Sequence, residues 1–256
     1  MNFRIAIPSC SRANTLLNKT ITYLLKTNID LSKVDIFLSK KEELKEYKIK
    51  LKDYPVNIIV ANNTSINEQR NFMIKYYPVG QYVMGIDDDI QSIESKINDK
   101  KTETLLKLSE LGNQAFDLCL KNKVNLWGIN ASFNPFFMKH TISFNLKFII
   151  ACFYGWVNTH EDKAFVLEKK FHTKEDYERT IKYYKADNGV LRFNYLAPKT
   201  KIYTEKGGIQ LYRTPESEKE SADYMLKTYS MFCKVNNARK GKFSQIRLID
   251  QRKKIK

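Results

Sequence analysis

Apolar and polar positions in the first half of the chain alternate between strand-length runs and helical spacing. Phe3 to Pro8 is a short apolar run, and Ala13 to Lys26 carries Leu16, Leu17, Ile21, Leu24 and Leu25 at the spacing of one helix face. Val34 to Leu38 reads as a second strand and a charged segment from about Lys41 to Lys50 as a helix. Val56 to Ala61, entered through Pro55, reads as a third strand. The polar loop Asn62-Asn63-Thr64-Ser65 opens a helix near Asn67 to Tyr77, with Ser65 or Thr64 as N-cap and Glu68 completing a capping box. Gln81 to Ile86 is the next strand. Strands separated by helices predict an α/β domain with a largely parallel sheet and ligand at the carboxyl ends of its strands.

The second half reads as mixed. The pattern predicts a helix over about Thr102 to Lys121, strands over Val124 to Asn130, Ser143 to Tyr154 and Phe165 to Phe171, a helix over Lys174 to Lys185, and a strand over Val190 to Leu196. Gly207-Gly208 marks a loop, and Glu216 to Val235 reads as a helix. From Asn236 onward eight Lys or Arg residues face the single acid Asp250, so residues 1–235 read as one domain and 236–256 as a basic tail. The most apolar stretch, Phe148 to Val157, is far shorter than the roughly 20 residues a membrane helix needs, so no membrane partner is expected. The start, Met1 to Pro8, lacks the apolar core of a signal peptide.

Charge adds one constraint. Forty-four Lys and Arg against 28 Asp and Glu give a formal net charge of +16, a field that attracts polyanions such as nucleic acid or an anionic membrane surface, with a Lys/Asn/Ile-rich coding bias as the alternative source of part of the excess. The four cysteines are scattered without a Cys-x-x-Cys pair, which argues against a zinc site or disulfide scaffold and fits a reducing cytoplasm.

The most informative feature is Val83-Met84-Gly85-Ile86-Asp87-Asp88-Asp89-Ile90, an apolar strand running into three consecutive carboxylates. Such a cluster is costly unless a cation neutralises it, and a divalent metal carrying a substrate diphosphate is one solution. A solvated acidic turn is the alternative. Pro8 ends the first strand by removing a backbone donor. Ser9, Ser11 and Arg12 then offer hydroxyls and a guanidinium to a nucleotide, unless Ser11 serves only to cap the following helix. Arg70, in Asn67-x-x-Arg70-Asn71, has the fork geometry that suits phosphate.

These pieces, with Glu175-Asp176 opening a later helix, resemble the GT-A fold glycosyltransferases. More narrowly, Ile7-Pro8-Ser9 with Arg12, Asn67 to Asn71, Trp127-Gly128-Ile129-Asn130, His172 to Tyr177, and Leu191 to Ala197 with Gly207-Gly208 resemble the TET/JBP-associated glycosyltransferases. That group is linked to sugar addition on hydroxymethylated pyrimidines in DNA, including base J and modified phage genomes. The resemblance runs from about residue 3 to 210. It implies a GT-A-like, Rossmann-type mixed sheet flanked by helices, followed here by a C-terminal helical and basic extension.

The resemblance implies that a nucleoside diphosphate sugar, UDP-linked in the first instance, binds through Pro8, Ser9, Ser11, Arg12, Asn67, Arg70, Asp87, Asp88, Trp127 and Gly128, with Trp127 as a sugar platform; a buried strand aromatic followed by a close backbone approach is the alternative for Trp127-Gly128. By the same resemblance Asp89 would ligate the Mn2+ or Mg2+ that bridges the diphosphate oxygens, Asp87 would contact ribose or the outer metal shell, and Asp88 has no settled role. Asp176 would be the general base, paired with Glu175; helix-dipole complementation behind a Thr173 cap is the alternative for both. Acceptor contacts would come from His172, Lys201, Gly207, Gly208 and Arg213, with Lys199, Lys206, Tyr203 and Tyr212 around them as a basic, aromatic candidate for nucleic acid. The cluster Phe133 to Phe137 reads as core rather than as a base-stacking surface. DNA is the expected acceptor and the cytoplasm, the host's if the chain is viral, the expected place. A transferase for glycan, lipid or protein acceptors and a non-catalytic nucleic-acid-binding module remain open as alternatives. A nucleotidyltransferase would require a further carboxylate near the triple Asp.

Overall fold

The structure, a computed structural model, describes residues 2–158, 166–168, 173–200, 213–237 and 245–254. An eight-stranded sheet runs in the order β3 (Asn57–Val60), β2 (Val34–Leu38), β1 (Phe3–Ser9), β4 (Gln81–Ile86), β9 (Phe153–Asn158), β7 (Leu126–Ile129), β10 (Leu191–Phe193), β8 (Ile142–Ser143). The first four strands are parallel. β9 then runs antiparallel to both β4 and β7, which makes the sheet mixed. Two smaller sheets accompany it: β11 (Leu196–Lys199), β5 (Ser92–Lys96) and β6 (Thr102–Thr104), and the pair β12 (Cys233–Val235) with β13 (Ile246–Leu248). Among the described residues no helix is long and apolar enough to cross a membrane.

Burial explains the order. Val83, Met84 and Ile86 are all at 0% exposure, so β4 is buried on both faces and belongs in the middle of the sheet, where a continuous apolar run is the expected signature. Gly85 lies opposite Tyr154 on β9, and a Cβ there would meet the Tyr154 ring at 2.7 Å. The bare backbone lets that ring lie across the strand that delivers the three aspartates. The Ile66–Tyr76 helix starts as its polar loop directs: the Ser65 hydroxyl accepts from the Glu68 N–H at 3.2 Å. Glu68 itself accepts from the Thr64 N–H and hydroxyl, each at 2.8 Å.

The second half departs from the sequence pattern in several places. The helix expected over Thr102 to Lys121 is Leu108–Asn122 alone, because Thr102–Thr104 pairs with β5. There the Glu94 carboxylate accepts from Ser92, Thr102 and Thr104 at 2.7, 3.0 and 3.1 Å. Ser143 to Tyr154 is not one strand. Between β8 and β9 the chain makes a buried loop whose Leu146, Ile149, Ile150 and Cys152 fill the core. Val190 to Leu196 divides between β10 and β11, and most of Phe165 to Phe171 lies outside the described residues.

The helix expected over Glu216 to Val235 is Pro215–Thr228; Cys233–Val235 leaves it to pair with Ile246–Leu248. Ile181, Ala222, Met225, Tyr229, Cys233 and Ile246 form one small core there. The C-terminal extension is therefore, in its described part, a strand and a short 3-10 turn docked on the domain. The Asp250 carboxylate accepts from Tyr184 at 2.9 Å and from the Leu146 N–H at 3.2 Å, while Arg252 donates to the carbonyls of Asn188 and Phe144.

Candidate active site

The carboxyl ends of β1 and β4, the loop before β9 and the start of the Glu175–Asp187 helix converge on a cavity of about 380 Å³. Pro8, Ser9, Arg12, Arg70, Asp87, Asp88, Asp89, Glu175, Asp176 and Arg213 all line it, so residues far apart in sequence, from Pro8 to Arg213, meet at one surface.

The three aspartates are held differently. Asp88 is 4% exposed and accepts from the Ser9 hydroxyl at 2.6 Å and from Arg12 Nη1 at 3.1 Å. It ties the first loop to the acidic loop. Burial pushes its pKa up to about 7, against the opposing pull of Arg12. Tyr47 completes the joint, its hydroxyl 2.7 Å from Ser9 Oγ and accepting from the Arg12 N–H at 3.1 Å. Asp87, its side chain 30% exposed, accepts from Arg70 Nη2 at 2.6 Å. Asp89 lies 3.5 Å from Arg12 Nη1, and burial followed by the charge of Asp87 raises its pKa. Thr20 fixes the backbone of the acidic loop, donating to the Asp87 carbonyl at 2.8 Å and accepting from the Ile90 N–H at 3.0 Å.

Arg70 is 3% exposed and links the two acidic elements. Besides Asp87 it donates to the Ala151 carbonyl at 3.2 Å, and its Nε lies 3.9 Å from Glu175. Glu175 is also paired with Arg179 Nη1 at 3.2 Å, and the Arg179 guanidinium stacks 3.8 Å above the Tyr154 ring. Glu175 is thus a tethered carboxylate. Asp176, half-buried in the cavity wall, has a different environment: its carboxylate accepts from the Tyr177 N–H at 3.0 Å, and among the described residues no Lys or Arg nitrogen comes within 4.0 Å of it. Desolvation, reinforced by the charge of Glu175, raises its pKa well above the usual carboxylate range. Lys174 and Arg213 both pair with Glu218, the latter at 2.8 Å, and so connect the Pro215–Thr228 helix to the cavity.

Several expected site residues lie elsewhere. Trp127 is 0% exposed and packs edge-on against Phe116, Phe153 and Phe193; it is a core residue and cannot be a sugar platform. At Gly128 a Cβ would meet Ile149 at 2.4 Å, so that glycine serves packing. Asn67 is fully buried in its helix and does not line the cavity. Ser11 neither lines it nor caps the following helix: in a left-handed conformation, φ 55°, its N–H and hydroxyl both donate to Glu43 at 2.9 Å. Nor does Thr173 cap the Glu175–Asp187 helix, which Lys174 precedes without a side-chain cap. His172, Lys201, Gly207 and Gly208 lie outside the described residues.

The sequence pattern also passed over residues that shape the site. Phe148 and Tyr177 stack at 4.2 Å and supply the aromatic wall. Arg179 carried a signal in its i,i+4 spacing from Glu175, whereas Tyr47 and Thr20 carried none. Among the described residues no group of three His, Cys, Asp or Glu side chains is disposed to hold a metal ion. Among the described residues, Asp87 and Asp89 are the neighbouring carboxylates of the cavity whose mutual repulsion a cation would relieve.

No family model and no curated protein matches the chain. Solved structures do. TarS of S. aureus is 14% identical with a TM-score of 0.51, over 88% of this chain and 40% of that one. The mannosyltransferase PcManGT of Pyrobaculum calidifontis, solved with GDP-Man and Mn2+, is 8% identical with a TM-score of 0.52, over 82% and 59%. The glucosyl-3-phosphoglycerate synthase of Mycobacterium tuberculosis, solved with Mn2+, UDP and glucosyl-3-phosphoglycerate, is 8% identical with a TM-score of 0.53, over 97% and 87%. The chain spans less than two thirds of the first two. At these identities the likeness is one of fold, and this chain has the GT-A-like mixed α/β fold of those glycosyl-transferring proteins.

Proposed function

We propose that this chain is a nucleotide-sugar-dependent glycosyltransferase whose donor diphosphate lies against Asp87 and Asp89 and whose acceptor hydroxyl faces Asp176. The observation that carries the reading is the division of labour among five acids around one cavity. Asp88 is buried against Ser9 and Arg12 and Glu175 is held by Arg179, Asp87 and Asp89 stand side by side with Arg70 and Arg12 as their partners, and Asp176 has a raised pKa with no Lys or Arg nitrogen within 4.0 Å among the described residues. Arg70 and Arg12 add positive charge for phosphate.

Asp87 and Asp89 are hard oxygen donors of the kind Mg2+ and Mn2+ accept, with the remaining coordination left to diphosphate oxygens and water. A cation bound there would stabilise charge on the departing nucleoside diphosphate. Two structural neighbours were solved with Mn2+ and a UDP or GDP ligand, which supports this choice. In the transfer, Asp176 takes the acceptor hydroxyl's proton as that oxygen bonds to the anomeric carbon. The bond from that carbon to the diphosphate breaks, and the nucleoside diphosphate leaves with the electron pair. The Phe148 and Tyr177 rings offer an apolar wall to a sugar face.

For the acceptor, the resemblance to the TET/JBP-associated enzymes and the net charge of +16 favour a hydroxymethylated pyrimidine in DNA, reached by flipping the base or in an exposed strand. Release of nucleoside diphosphate from a panel of nucleotide sugars, with and without hydroxymethylated DNA, tests both levels. Metal-dependent release that rises only with modified DNA is expected. No release from any donor overturns the transferase reading, and stimulation by a glycan or peptide instead overturns the DNA acceptor.

A further inference from the structure

Residues expected in the core stand out in solvent: Phe133 is 46% exposed, Phe136 71% and Phe137 63%. Their segment begins directly after Ala131 and Ser132, which line the cavity, so Phe136 lies within about 14 Å of that wall even if the chain between is fully extended. The exposure is built rather than incidental. The Asn134 side chain accepts from the Phe136 N–H at 3.1 Å, Met138 is buried beneath, and Lys139 donates its N–H to the Asn194 carbonyl at 3.0 Å. Lys96, itself buried, donates its amine to the carbonyls of Pro135 at 2.9 Å and Met138 at 2.8 Å, clamping the turn from inside. The Phe136 and Phe137 rings stand perpendicular, 5.2 Å apart, on that rigid base.

Cations lie near them in the chain and the fold. Lys139 follows the rings and is exposed, as are Lys100 and Lys101 in the turn between β5 and β6. That turn is held against the aromatic segment through Lys96, whose amine also meets Asp99 at 2.5 Å and neutralises it. Glu103 is the remaining acid of that hairpin tip.

We propose that Phe136 and Phe137, with Phe133 and the lysines beside them, form a platform on which unpaired bases of a single-stranded or locally opened nucleic acid stack next to the cavity. The proposal deepens the DNA-acceptor reading and rests on it for the identity of the ligand. Exposed aromatic faces accept any base, and flanking cations meet the backbone phosphates. An anionic lipid surface would use the same two features. Continuity with the cavity wall favours nucleic acid, because bases stacked there lie beside the place where a base carrying the acceptor hydroxyl would enter.

The test measures binding of a short single-stranded oligonucleotide containing 5-hydroxymethylcytosine, by fluorescence anisotropy at low salt, to wild type and to the double variant Phe136→Ala/Phe137→Ala. Because both rings are exposed, the variant should keep its thermal midpoint and its donor hydrolysis without acceptor. Its oligonucleotide affinity should fall about tenfold or more, and Phe136→Trp/Phe137→Trp should restore it. Affinity within about twofold of wild type, or wild type with no measurable binding, overturns the platform. So does co-sedimentation of wild type, but not the double variant, with phosphatidylglycerol vesicles when oligonucleotide affinity is unaltered. Donor hydrolysis separates the two claims: if it persists while oligonucleotide binding fails, only the platform and the DNA acceptor fall. If oligonucleotide binding behaves as expected but no donor is hydrolysed, the platform stands without the transferase.

Discussion

Arg70→Ala removes the guanidinium that joins the acidic loop to the Glu175 helix. Deleting one partner of a buried ion pair costs about 3–5 kcal/mol, because the other charge stays buried and uncompensated. Two features place this case at the low end. Asp87 is 30% exposed and can recruit water, and Glu175 keeps Arg179 at 3.2 Å. About 3 kcal/mol is expected, which in a chain of 256 residues lowers the thermal midpoint by about 6–12 °C. Arg70→Lys retains the charge but gives up the fork that serves Asp87, Ala151 and Glu175 together, and should lose about 1 kcal/mol. Scanning fluorimetry and urea unfolding read the stability, and calorimetry with UDP and GDP reads the donor site. Both variants should bind nucleotide more weakly than wild type. A midpoint for Arg70→Ala within about 2 °C of wild type would refute the bridging role, and unchanged nucleotide affinity would take Arg70 out of the donor site.

Asp176 must be ionised to accept a proton, and its raised pKa moves the acid limb of the rate to near neutral pH rather than near about 4; turnover should therefore rise with pH through that region. Asp176→Asn should abolish this limb and lose about 10²- to 10⁴-fold in turnover while nucleotide affinity holds; an acid limb at ordinary carboxylate pH contradicts the assignment. Gly155→Ala would bring a Cβ within 2.2 Å of Trp127 Nε1 and should cost about 1–3 kcal/mol in urea unfolding, whereas a wild-type midpoint would contradict the core placement of Trp127.

The parallel half of the fold was legible because each strand there is a short apolar run separated from the next by a helix with its own periodicity. Asp87 to Asp89 were legible as a candidate site because three carboxylates after a buried strand need a tertiary reason. Which of them is held by the protein itself was not, since Asp88 is bound by Ser9 and Arg12, 79 and 76 residues away. β5 was missed because Ser92, Glu94 and Lys96 are polar yet buried, so the strand lacks an alternating pattern. Trp127 stayed between core and sugar platform for the opposite reason: an aromatic beside a glycine has the same sequence signature in both, and burial places it in the core. Phe136 and Phe137 look apolar enough for a core, and only the Lys96 clamp reveals that they are held outward.

Titration of UDP and of GDP into wild type and Asp89→Ala, with and without Mn2+, tests most directly whether the acidic pair holds a donor diphosphate. With two protein carboxylates in place of a complete ligand set, Mn2+ and nucleotide should each bind weakly alone. Together they should tighten one another, by a factor within the usual range of about 5–150 for coupled sites, and Asp89→Ala should abolish that coupling while remaining folded. Nucleotide affinity that is the same with and without Mn2+, and the same in Asp89→Ala, would contradict the placement of the donor at this cavity.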